Sequence, residues 1–172
     1  MTEIVIDDYN FRVNESGSMR NLKPIGRVPG LDYGVLDELL GYSLRRAQVR
    51  MFVAFDEATR GDRGLQLTPP RFTALVIIGA NPGLSQSTLA RVLGIARSGA
   101  MLMTDWLEGR GLVERRRRDG DARAWGLHLT SRGEELAARL ERKVIELDRR
   151  RTAGLSDKDR RLLLDLLDRL AG

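Results

Sequence analysis

From Leu31 to about Arg60 apolar side chains recur at three- and four-residue spacings: Leu36, Leu40, Leu44, Ala47, Met51 and Phe55, with Arg45, Arg46, Asp56 and Glu57 between them. That period predicts a long amphipathic helix, closed by Gly61-Asp62-Arg63-Gly64. Residues 1–30 show no such period. They hold two glycine-containing turns and Pro24 and Pro29, and are expected to form a poorly ordered N-terminal arm. Thr68-Pro69-Pro70 has the form of an N-cap followed by proline at the first helical position, where a missing N–H costs nothing. The helix it opens carries Phe72, Leu75, Val76 and Ile78 and ends at Asn81-Pro82-Gly83. Ser85 caps a short second helix through Leu89, Ala90 and Val92, stopped by Gly94. Ile95-Ala96-Arg97-Ser98 is a tight connection to a third helix running to Arg110, with Gly111 as the left-handed residue beyond it. A short helix, a glycine-containing turn and a second helix have the spacing of a helix-turn-helix.

Beyond Gly111 the period changes from 3.6 to 2. Leu112–Arg116 predicts one strand, Arg118-Asp119-Gly120-Asp121 a turn, and Trp125, Leu127 and Leu129, alternating with Ala124, Gly126 and His128, a second strand. Thr130 then caps a long helix through Leu136, Leu140, Val144 and Leu147, and Ser156-x-x-Asp159 opens a last one. Its Leu162, Leu163, Leu166, Leu167 and Leu170 form a stripe too broad for the surface helix of a monomer. The fold class is therefore mainly α with a small β-hairpin.

Charge sharpens this picture through its location. The chain of 172 residues has 29 Lys plus Arg against 24 Asp plus Glu, a net +5. Residues 1–30 hold four groups of each sign and residues 31–83 six of each, so the excess lies in the second half. Residues 84–130 carry eight arginines against five acids, and residues 136–172 ten basic groups against seven acidic. The densest point, Arg115-Arg116-Arg117-Arg118, falls on the predicted hairpin. A solvated charge run is the plain reading of four arginines, but a basic hairpin after a helix-turn-helix is the arrangement called a wing.

A narrow hairpin can carry arginine into the minor groove of DNA, where the potential is most negative over A·T-rich steps. The helix before it presents its N-terminal residues to the major groove. Here these are Arg97, Ser98 and Gly99, with Met101 and Leu102 one turn on. Ser85, Gln86 and Ser87 offer hydroxyls, an amide and helix N-terminal N–H groups to phosphates. Arg97 suits either guanine or phosphate.

The runs Leu67-Thr68-Pro69, Asn81–Ala90, Leu107-Glu108-Gly109-Arg110-Gly111-Leu112-Val113-Glu114-Arg115, Asp121-Ala122-Arg123 and Leu127-His128-Leu129-Thr130 resemble the MarR family of bacterial transcriptional regulators. The resemblance is close over about 65 residues, Leu67–Thr130. It implies a winged helix-turn-helix lobe at residues 61–135, with 31–60 and 136–172 as dimerisation helices. By the same resemblance Arg123 reaches the minor groove and Asp121 braces the wing, beside Arg115, Arg116, Arg117 and Arg118. The partners implied are double-stranded DNA, a second copy of the chain and a small-molecule effector. The segment Gly41–Gln48 resembles the branch that answers to aromatic acids or their coenzyme A thioesters, with Tyr42, Arg46 and Phe72 as hydroxyl, cation and apolar wall. Tyr42 and Phe72 read equally well as core, and Arg46 as a solvated side chain. The sequence departs from the family at Gly99-Ala100-Met101-Leu102, where threonine and arginine are common, so Ala100 or Met101 is expected to touch thymine methyls instead.

Other classes have little to stand on. Without cysteine there is no disulfide, thiolate metal site or thiol switch, and a single histidine builds no metal centre. No cofactor is expected. His128 has no acid partner at a useful spacing, which leaves an enzyme without a visible nucleophile and base. No run of roughly 18 apolar residues spans a bilayer and the N-terminus is acidic, so no membrane partner is expected and the compartment is read as the cytosol. The expected function is a ligand-released repressor on a pseudo-palindromic operator; the alternative is a non-specific or architectural nucleic-acid binder without an effector.

Overall fold

The computed structural model describes residues 26–118 and 121–172 and, within them, all side chains except those at 63–64, 118 and 121–124. Six α-helices and one antiparallel hairpin follow one another along these residues: α1 (Leu40–Ala58), α2 (Pro69–Ala80), α3 (Gln86–Leu93), α4 (Arg97–Glu108), β1 (Val113–Arg118), β2 (Asp121–Leu129), α5 (Ser131–Arg151) and α6 (Asp157–Ala171). The mainly helical class with a β-hairpin is the one the periodicity predicts.

Capping chemistry accounts for most of the helix starts. The hydroxyls of Thr68, Ser85, Thr130 and Ser156 each accept a backbone N–H three residues on, from Arg71, Thr88, Gly133 and Asp159. Gly94 closes α3 in the left-handed region at φ +64°, which turns the chain into α4 within three residues. Two boundaries differ from the sequence pattern. The first helix begins at Leu40, not near Leu31: Gly34 at φ +52° starts a 3-10 turn over Gly34–Asp37, and Leu39 is extended. The third helix of the unit begins at Arg97 and ends at Glu108, two residues before Arg110, although Gly111 is left-handed at φ +63° as expected.

Of the expected N-terminal arm, residues 1–25 lie outside the described residues. The stretch beyond them is tied down: Arg27 pairs with Asp37 and stands 5.0 Å from the Tyr33 ring centroid. The Asp119-Gly120 turn likewise lies outside the described residues.

The main core gathers Leu75 and Ile78 of α2, Leu89 of α3, Leu107 of α4, Leu127 of β2 and Leu140 of α5, all at most 2% exposed. A smaller cluster joins Ala54 and Phe55 of α1 to Leu147 of α5, with Phe72 and Val144 against it. Thus α5 packs on both α1 and α2 and joins α1 to the helical lobe. The buried face of α1 is Val49, Ala54 and Phe55, while Leu36 and Leu40, part of the predicted stripe, are exposed. Nothing in a single chain covers them among the described residues.

Candidate nucleic-acid interface

Strand pairing sorts the four consecutive arginines. Val113 stands opposite Leu129, Arg115 opposite Leu127 and Arg117 opposite Trp125, and directly opposed residues of an antiparallel pair share a face. Val113 is buried at the root of that face and Leu127 one pair farther out, opposite Arg115. Midway, the Arg115 guanidinium pairs with both Asp105 and Glu108 of α4, which fastens the hairpin to the helix before it. Further out Arg117 lies over the exposed Trp125, 5.6 Å from its ring centroid. Arg116, on the other face, donates from Nε to Glu114 at 2.9 Å. The register slips between Arg117 and Arg118, a bulge that sharpens the twist at the wing tip. Arg118, Asp121 and Arg123 belong to the strands, and their side chains lie outside the described residues.

The hairpin has a third backbone partner that the two-residue period did not predict. Gly83 N–H donates to the Leu127 carbonyl and Leu127 N–H to the Leu84 carbonyl, both at 2.9 Å. The turn before the helix-turn-helix and the wing are therefore one hydrogen-bonded unit.

In the helix-turn-helix itself, Ser85 is the N-cap of α3 and its hydroxyl also meets those of Ser87 at 2.9 Å and Thr88 at 2.8 Å. Ser87 is exposed, and the Gln86 side-chain amide is buried with no hydrogen-bond partner among the described residues. Arg97 and Ser98 open α4 and are exposed; Gly99 is half-buried against Ile95. Ala100 is fully buried and cannot reach a base, so the expectation that Ala100 or Met101 touches a thymine methyl is corrected for Ala100: the helix turns it toward the core with Thr104 and Leu107. Met101 and Leu102 point outward, each 49% exposed. Between α3 and α4 an open cavity of about 360 Å³ is lined by Ser87, Ala90, Arg91, Gly94, Ile95 and Arg97. Arg91, which the sequence reading passed over, thus shares a rim with Arg97. Its signal was a cation in the last turn of the first helix of the motif.

Behind this surface Trp106 packs against the core and holds two cations, with the Arg71 and Arg110 guanidiniums each 3.8 Å from its ring centroid. Burial, and then the Arg110 charge, push Arg71 down to about 10. Arg71 donates to the Gln66 carbonyl, and Arg110 to the Gln66 side-chain oxygen at 3.4 Å. Trp106 therefore joins the start of α2 to the end of α4, a connection that spacing alone does not reveal.

The three expected effector residues do not form one cluster. Tyr42 and Arg46 meet on the first turns of α1, with the guanidinium 5.6 Å from the ring centroid and Arg46 Nε buried without a partner among the described residues. Phe72, on α2, instead packs beside Phe55 at the far end of α1, with 5.9 Å between ring centroids. No helix among the described residues is long and apolar enough to cross a membrane, and no group of three acidic or histidine side chains able to hold a metal occurs among them.

Residues 67–125 match the MarR family model. A Thauera aromatica protein proposed as transcriptional regulator of the hcr operon is 37% identical over 140 residues, 81% of this chain and 83% of that protein. The transcriptional repressor CouR bound to a 23-mer DNA duplex is 40% identical over 83% of this chain and 99% of its own, with a TM-score of 0.75. CouR bound to p-coumaroyl-CoA gives 40% identity over 82% and 97% and a TM-score of 0.72. A Mycobacterium tuberculosis MarR family protein in complex with salicylic acid is 31% identical over 77% and 96%, with a TM-score of 0.59.

Proposed function

Since the chain belongs to the MarR family and is a transcriptional repressor without enzymatic activity, we propose that it binds a pseudo-palindromic operator as a homodimer and leaves it on binding an aromatic acid or its coenzyme A thioester. The observation that carries this reading is the likeness to CouR. A repressor 40% identical over nearly its whole length stands on a DNA duplex in one structure and holds p-coumaroyl-CoA in another.

The roles follow from position. In this reading the exposed start of α4 enters the major groove, while Ser87 and Arg91 face the flanking phosphates and Ser85 and Gln86 offer them the backbone N–H groups at the start of α3 rather than their side chains. Arg116, Arg117, Arg118 and Arg123 give the wing its charge along the minor groove, with Asp121 bracing Arg123; Arg115 serves as the strut between wing and helix. Tyr42 and Arg46 are an amphipathic pair suited to an anionic aromatic ligand, through a ring, a hydroxyl and a cation with an unpaired N–H. Phe72 contributes an apolar wall from α2. Residues 31–60 and 136–172 form the dimer, 61–135 the DNA-binding lobe and 1–30 the arm.

Footprinting on DNA upstream of the chain's own gene, with and without p-coumaroyl-CoA and salicylate, tests the whole reading. The expected result is a protected pseudo-palindrome whose half-sites lie about one helical turn, roughly 34 Å, apart. Protection should fade as one of the two compounds is added. Arg123→Ala should weaken binding and flatten its salt dependence, whereas Arg150→Ala, exposed in the last turn of α5 beside Glu146, should do little. Salt-sensitive affinity with no preferred site would overturn sequence-specific repression in favour of a non-specific binder. Equal losses in the two variants would remove the wing from the interface.

A further inference from the structure

Over its first two turns, the outward face of α4 consists of Arg97, Ser98, Met101 and Leu102, because Ala100 and Thr104 are buried and Gly99 rests on Ile95. One turn on, Asp105 is occupied by Arg115. Arg97 stands at the helix's first residue, on the rim of the cavity it shares with Ser87 and Arg91, and a guanidinium there suits phosphate as well as guanine. Half of this face is thus apolar, at 49% exposure for each of Met101 and Leu102, in a surround of hydroxyls and guanidiniums.

Such a face is badly matched to most of the major groove. Adenine, guanine and cytosine present donors and acceptors there and no methyl group, and a thioether or isobutyl group laid against them strips their water without replacing it. Thymine alone among the ordinary bases offers an apolar group, its C5-methyl. We propose that Met101 and Leu102 are the specificity-determining residues of the recognition helix and that they select thymine by contact with its methyl group, so that each half-site carries thymine at the one or two positions under them. The inference rests on the DNA-binding reading above. The cations around the pair argue for a polyanion as the occupant of this face rather than a second copy of a chain whose own surface is basic.

The wild-type protein is used to enrich binding sites from a pool of random duplexes, and the enriched site is then resynthesised with deoxyuridine replacing thymine one position at a time. That exchange removes one methyl and no hydrogen-bonding group. At one or two positions per half-site the dissociation constant should rise about fourfold, the partition cost of one buried methyl, and about fifteenfold when both half-sites are changed together. In the Met101→Gln and Leu102→Gln variants the penalty at the corresponding position should disappear, with the helical circular dichroism signal unchanged. Enriched half-sites with indifferent uridine exchange throughout, or a penalty that survives both substitutions, would overturn thymine selection while leaving sequence-specific repression standing. Failure to enrich any sequence would overturn both.

Discussion

Asp62 lies in the bend between α1 and α2, its side chain mostly buried, and accepts from Arg139 at 2.8 Å and Lys143 at 2.7 Å of α5. Burial raises the pKa of this carboxyl, but the two cationic donors outweigh it and hold the group below the usual aspartate range. A depressed folded pKa means that the stabilisation is fully present above the unfolded value near 4 and is lost as pH falls through the folded value. Asp62→Asn should therefore cost about 1–2 kcal/mol at neutral pH, the scale of hydrogen bonds to a charged group with partly exposed partners. The gap between variant and wild type in thermal or urea unfolding should close below pH 4; a gap that persisted or widened there would refute the assignment. Nothing in the sequence marked Asp62. It read as one polar residue of a helix-ending Gly-Asp-Arg-Gly turn, and its partners stand 77 and 81 positions away. The same holds for Trp106, legible as a core-type residue but not as the ring between Arg71 and Arg110. Arg115 shows the opposite error: read as one of four equivalent wing cations, it is the one whose strand face turns it back onto Asp105 and Glu108.

Elements were far more legible than side-chain partners, because caps and periodicity are local. Thr68, Ser85, Thr130 and Ser156 could be named as caps from the sequence since each satisfies an N–H three residues away. The start of α1 was misread because its apolar period runs upstream through Leu36, where Gly34 and the extended Leu39 break the helix. The pairing of Leu84 with Leu127 was hidden for a different reason, since two residues of a turn carry no strand period. Close approach there makes Gly126 the residue to test. A Cβ at Gly126 would stand 2.7 Å from Gly83 Cα and 2.9 Å from the Gly83 carbonyl oxygen, all of it backbone that no rotamer can move aside. Gly126→Ala should cost about 1–3 kcal/mol through this overpacking, and should speed hydrogen exchange at the Gly83 and Leu127 amides that close the bridge. Unchanged exchange at both amides would show that the wing and the turn are not mechanically joined.

At the scale of the whole molecule, the unfinished part is α6. Leu162, Leu163, Leu164, Leu166 and Leu170 are exposed and none of its described residues is buried, while Val35, Leu36, Leu39 and Leu40 leave a second apolar edge near the start of α1. A monomer rarely exposes so much contiguous apolar surface. Exposure of that kind is invisible in a sequence, where a leucine stripe looks the same facing its own core or a partner's. A homodimer built on these helices would also fix the separation of the two α4 helices, because α5 packs against α1 and α2 and runs directly into α6. Leu163→Asp together with Leu166→Asp places two charges in that face, and burying an unpaired carboxylate costs far more than leaving it in water. Light scattering should then report a monomer where the wild type gives a dimer, and operator affinity should fall at least a hundredfold, toward that of one half-site. The wild type's melting temperature should rise with protein concentration, and the variant's should not. A variant that stayed dimeric with its operator affinity intact would mean that α6 faces water and that the two lobes are held together elsewhere.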